Sequence, residues 1–167
     1  MNRSTWKVKR VTFKLIRLRE NNLPVVYQFF ENEDFYFASK RPNTLSENKI
    51  RQIVLENALT SYIFYSDDKP VGILSFRYFE VYNKSIVMQF RCLDMQLVLG
   101  NAQNFKNMLL NYISGNNPSI KFVAYDFDET GKEFAHMLSF NTEAILKEHV
   151  FKDGKYHDVL IFSKDLY

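Results

Sequence analysis

The sequence predicts a mixed α/β (α+β) fold: a mostly antiparallel, twisted sheet of about seven strands, with about four helices on its faces. Two kinds of apolar spacing predict it, period two in some segments and period 3.6 in others, in the order β-α-α-β-β-β-α-β-α-β-β. A strand–helix–strand unit over residues 85–125 predicts one parallel pair inside that sheet. Turn residues around Lys152-Asp153-Gly154 predict a closing hairpin.

The elements follow in order. VTFKLIRL (residues 11–18) sets Val11, Phe13 and Leu15 against Thr12, Lys14 and Ile16, a strand with one buried face. Leu23, Val26, Tyr27 and Phe30 then make one helical stripe, with Pro24 placed where a first turn tolerates it. EDFYFASKRP (33–42) is an aromatic, irregular connection. Thr44 and Glu47 have capping-box spacing before a helix with the stripe Ile50, Ile53, Val54 and Ala58. SYIFYS (61–66) and PVGILSFRYF (70–79) form a hairpin around Asp67-Asp68-Lys69. SIVMQFRCL (85–93) puts Ile86, Met88, Phe90 and Cys92 on one face, and Gln89 and Arg91 on the other. An apolar run then turns at Gly100 into a helix over about 101–114, striped by Phe105, Met108, Leu109, Tyr112 and Ile113. Gly115 stands at its C-cap. SIKFVAY (119–125) is a strand, and TGKEFAHML (130–138) a short helix with Thr130 and Glu133 at capping-box spacing. TEAILKEHVF (142–151) and KYHDVLIFS (155–163) are the final strands.

Composition narrows the function classes. The 167 residues are 46% hydrophobic and 25% charged, without repeats or low-complexity linkers, so residues 1–167 read as one domain. A net charge of +3 with no charged block argues against a nucleic-acid partner; the basic WKVKR start reads as a solvated segment. No run reaches the roughly eighteen apolar residues of a membrane span, and the first residues lack the apolar core of a signal peptide. A single cysteine, Cys92, fits a reducing compartment, and its alternation with Phe90 and Met88 reads as a small buried group. The expected location is the cytoplasm. His136, His149 and His157 share no metal-ligand spacing, so no metal site is expected.

Gly100 lies at a strand-to-helix junction, where unpaired N–H groups and the helix dipole favour an anion. Either the junction cradles a phosphate, with Asn101, Gln103 and Asn104 contributing, or Gly100 only lets the chain turn. Arg91 on a middle strand needs a partner, an internal carboxylate or a ligand anion, and the internal one is favoured. Phe35, Tyr36 and Phe37 either wall a substrate pocket or pack under their loop.

The whole order of elements, over about residues 11–163, resembles the GNAT superfamily of N-acetyltransferases. The DDKPVGILSF hairpin carries part of the likeness, and the tail carries most of it: Ser139-Phe140 at the family's GF corner, and Tyr156 and Asp158 in its closing y-x-D hairpin. The resemblance implies acetyl-CoA as co-substrate and an amine acceptor, a small molecule or a protein, in a monomer or homodimer. It implies that the pyrophosphate loop, Arg/Gln-x-x-Gly-x-Gly/Ala, is Leu97-Val98-Leu99-Gly100-Asn101-Ala102, with Leu97 in the Arg/Gln place and Gln96 one residue early. Cofactor contacts then fall to Leu93, Met95, Val98, Leu99, Gly100, Asn101, Ala102, Gln103 and Asp128. The family's tyrosine acid corresponds to Ala135, and its asparagine to Asp126 or Asp128. Tyr125 is a substitute acid; Asp94 or Glu80 is a candidate base. The alternative is a GNAT-like binding module without turnover.

Overall fold

The computed structural model describes residues 11–37, 44–56, 59–78, 85–113 and 119–165. Seven strands form one sheet in the order β1-β2-β3-β4-β5-β7-β6. They are β1 (Phe13–Arg17), β2 (Leu59–Ser66), β3 (Lys69–Tyr78), β4 (Ser85–Cys92), β5 (Ser119–Tyr125), β6 (Asn141–Lys152) and β7 (Lys155–Asp165). Every neighbouring pair is antiparallel except β4 and β5, the two strands flanking the predicted crossover. The helices are α1 (Leu23–Phe30), α2 (Glu47–Val54), α3 (Met95–Leu99), α4 (Ala102–Ile113) and α5 (Glu129–Met137).

Alternation along each strand feeds two cores, one on each face. Phe64, Phe76, Phe90 and Phe122 of the sheet share one core with Phe105 of α4 and Phe134 of α5. Ile63 and Ile73, the odd neighbours on the same strands, meet Val26, Phe29 and Phe30 of α1 and Ile53 and Val54 of α2. Phe90 and Phe134 stack at 4.9 Å, and Phe105 meets Phe134 edge-on at 5.3 Å, the offset and T-shaped arrangements that ring quadrupoles favour.

Several local expectations are corrected. The apolar run before Gly100 is neither strand nor open turn. Asp94 caps it, accepting from the Leu97 N–H at 3.2 Å, and residues 95–99 close into α3, a fifth helix. Gly100 itself is right-handed, at φ −66° and ψ −15°. The cap of α2 is Ser46, which accepts from the Lys49 N–H, and not Thr44. That of α5 is Asp128, and not Thr130. Tyr112 in the α4 stripe is 40% exposed; its hydroxyl donates to the Leu15 carbonyl at 3.1 Å. The β2–β3 turn is the pair Asp67-Asp68, both at positive φ (46° and 68°), as a type I′ turn requires, and Lys69 already belongs to β3. Ala58, Gly115, the WKVKR start and residues 38–42 of the aromatic connection lie outside the described residues.

Candidate functional site

β4 and β5 are paired from Ser85↔Ser119 only as far as Met88↔Phe122. Both strands continue, β4 to Cys92 and β5 to Tyr125, so they part; α3 follows directly from β4, and α4 follows α3. The opening leads to a cleft of about 550 Å³ lined by Asn32, Asp34, Phe35, Tyr36, Arg91, Leu93, Asp94, Met95, Gln96, Phe127, Asp128 and Lys152, among others. Deeper between the strands, a narrower space is bounded by Tyr36, Phe37, Gln89, Arg91, Phe122, Tyr125 and Asp128.

Arg91 bridges the gap. Its Nη1 reaches Asp128 Oδ1 and Thr130 Oγ1, each at 3.3 Å, and its Nη2 donates to the Asp34 carbonyl at 3.1 Å. The favoured internal partner is therefore present, and both side chains are mostly buried, at 14% and 19% exposure. Asp128 also accepts from the Gly131 N–H and the Thr130 hydroxyl, each at 3.0 Å. One carboxylate thus caps α5 and holds β4 to it across the parting strands.

An aromatic group walls the other side. Tyr125 is buried and stacks on Phe127 at 5.0 Å; Tyr36 meets the edge of Phe127 at 6.0 Å. His157 meets Phe127 at 4.8 Å, and its Nδ1 lies 2.7 Å from Asp126 Oδ1. Burial raises the Asp126 carboxyl, but the Asp158 N–H and the His157 bond outweigh it and leave the group below its ordinary range. Burial pushes the Cys92 thiol up to about 12, so it is no nucleophile at neutral pH.

Of the residues singled out from sequence, Tyr125, Asp94, Leu93, Met95, Tyr36 and Asp128 border these spaces. Phe35 and Phe37 touch them too, yet each is only 1% exposed and packs against Phe30. Of the three, Tyr36 alone is partly open. Met95 and Val98 are buried in the core, Leu99, Asn101 and Ala102 are half-buried, and Gly100 and Gln103 are exposed. Glu80 lies outside the described residues. The Gly100 N–H already bonds the Gln96 carbonyl at 2.9 Å, and that of Asn101 bonds Val98 at 3.1 Å. The first turn of α4 keeps the unpaired donors of any helix start. Sequence reasoning missed Phe127, Lys152 and the role of Gln89, whose Oε1 is buried with no hydrogen-bond partner among the described residues. The one available signal was that Gln89 shares the polar face of β4 with Arg91.

The sequence matches no protein-family model and no curated protein sequence. Its likeness is to solved structures. One is the RimL alpha-N-acetyltransferase of ribosomal protein L7/L12 in complex with coenzyme A, at 19% identity and TM-score 0.75, covering 92% of this chain and 94% of that one. A second is the Vibrio cholerae spermidine N-acetyltransferase with CoA and spermine, at 17% identity and TM-score 0.76, covering 92% and 95%. A third is smu.2055 from Streptococcus mutans UA159, at 19% identity and TM-score 0.73, covering 92% and 99%.

The chain has the GNAT fold. Ser139 adopts φ 61°, the left-handed region that glycine enters without cost, and Phe140 beside it is buried. Ala135 is a fully buried methyl on α5.

Proposed function

We propose that this chain is an acyl-CoA-dependent N-acyltransferase that moves an acetyl group from acetyl-CoA to an amine of a small molecule or protein. The observation that carries it is the parting of β4 from β5, with an acceptor atom beside the opening, Gln89 Oε1, that is buried and has no hydrogen-bond partner among the described residues. A buried acceptor without a donor costs about 1–3 kcal/mol, and a ligand N–H lying between the strands removes that cost.

The first-turn N–H groups of α4, at Ala102, Gln103 and Asn104, face a pyrophosphate with the helix dipole behind them. Gln89 accepts from an amide N–H of the pantetheine arm or from the acceptor amine. Asp94 takes the proton of the attacking amine through a water. The Tyr125 hydroxyl protonates the departing thiolate; Ala135 offers no proton in its place. Tyr36 and Phe127 wall the acceptor. The setting is expected to be cytoplasmic.

Calorimetric titration with acetyl-CoA tests the proposal: saturable heat with a raised melting temperature is expected, and neither effect at millimolar ligand would sink it. A second reading, a GNAT-fold binding module without turnover, draws support from Ala135 and from loop amides already bonded to Gln96 and Val98. Release of free CoA thiol across a panel of amines rejects that second reading.

A further inference from the structure

The tip of the β6–β7 hairpin carries an amine into the cleft. Lys152, the last residue of β6, is 24% exposed along its side chain and paired with Asp153. Its Nζ lies 4.8 Å from the centroid of the Phe127 ring and 5.8 Å from that of Tyr36. An ammonium over two ring faces is held by cation–π attraction while its nitrogen stays at the cleft surface. Phe127 stacks in turn on Tyr125, the residue assigned above to protonate the thiolate. The chain's own primary amine therefore sits one ring away from the proposed reacting centre, in the wall assigned to the acceptor.

We infer that Lys152 is a self-acetylation site: with acetyl-CoA bound and no acceptor present, Lys152 takes the acetyl group. The inference rests on the acyltransferase proposal. The Lys152 ammonium gives one proton to the paired Asp153 carboxylate, which passes it to solvent. The freed nitrogen attacks the thioester carbonyl; the C–N bond forms, the C–S bond breaks, and the thiolate takes the Tyr125 hydroxyl proton. The acylated nitrogen returns its remaining surplus proton to Tyr125. Lys152 ends as a neutral acetamide, CoA as the free thiol, and one proton is released. Tethering raises the effective concentration of this amine far above that of a lysine on another molecule, so the reaction runs within one chain. Neutralisation ends the pairing with Asp153 and the hold of the two rings.

The test incubates the full chain with acetyl-CoA and no acceptor, maps acetyl-lysine by peptide mass spectrometry, and follows melting in parallel. Lys152 is expected to acetylate at least about tenfold faster than the other lysines, as a tethered amine should. The rate should be independent of protein concentration, and the preference should vanish in urea. Lys152→Arg, which keeps the charge over the rings, should remove that modification and retain acetyl-CoA stabilisation. Stabilisation by acetyl-CoA without preference for Lys152 overturns the inference and leaves the acyltransferase proposal standing. So does a rate that rises with protein concentration. Neither stabilisation nor acetylation overturns both.

Discussion

Gly72, paired with the last residue of β4, and Gly100, at the C-cap of α3, invert what their sequence settings suggest. Gly100, at the junction resembling a phosphate loop, is right-handed, and a Cβ built there would meet only the Gln96 carbonyl, at 3.3 Å. Gly72, inside β3 and paired with Cys92, has no such room. A Cβ there would lie 2.2 Å from the Arg91 carbonyl oxygen and 2.8 Å from the Cys92 Cα. The glycine that this molecule requires is set by the approach of two strands, not by a local motif. It lies directly behind Arg91, the residue that spans the parted strands.

The largest test of that contrast is Gly72→Ala, which must push β4 away from β3. We expect a loss of about 3 kcal/mol or more in urea unfolding, since the clash is with backbone. A loss under about 1 kcal/mol would mean that the two strands separate easily. Next comes Arg91→Met, which removes the bridge to Asp128 while leaving the Asp128 cap on α5. The expected cost is about 1–2 kcal/mol, with weaker acetyl-CoA binding in the titration. Unchanged binding would show that the bridge does not shape the cleft.

Cys92, opposite Gly72, sharpens the comparison through pH. Its thiol is raised from the ordinary value of 9.0 to about 12 in the fold, so the unfolded chain loses its proton first. The stability from the buried neutral thiol is complete below pH 9 and is lost as pH rises from 9 towards 12. The slope is about 1.4 kcal/mol per pH unit for one proton. Alkaline unfolding series of the parent and Cys92→Ala chains check it; parallel curves would contradict it. The smallest effect is expected for Gly100→Ala, within about 0.5 kcal/mol, because Ala suits a right-handed backbone. A large loss would restore Gly100 as a required turn.

Much of this fold was legible because alternation and helical stripes report burial directly. Val11, Phe13 and Leu15 are buried while Thr12, Lys14 and Ile16 are exposed, as their spacing implied. The parallel β4–β5 pair followed from the length of the connection between the strands. Helix α3 did not, because five residues are too few for period 3.6 to show against an apolar run. Asp94 before Met95 was the available cap signal. At α5, Asp128 and Thr130 both have capping chemistry; the fold uses Asp128 because the same carboxylate also meets Arg91. The aromatic wall was hidden for another reason. Tyr36, Phe127 and Lys152 are distant in sequence and meet only once the β6–β7 hairpin folds back.

The central claim is that acetyl-CoA lies between the parted ends of β4 and β5 with its phosphates at the start of α4. Amide hydrogen exchange with and without acetyl-CoA tests it most directly. Slower exchange is expected at residues 89–93, 101–104 and 123–125, with β1 and β2 unchanged. Unchanged exchange at 101–104 in the presence of saturating acetyl-CoA would contradict it.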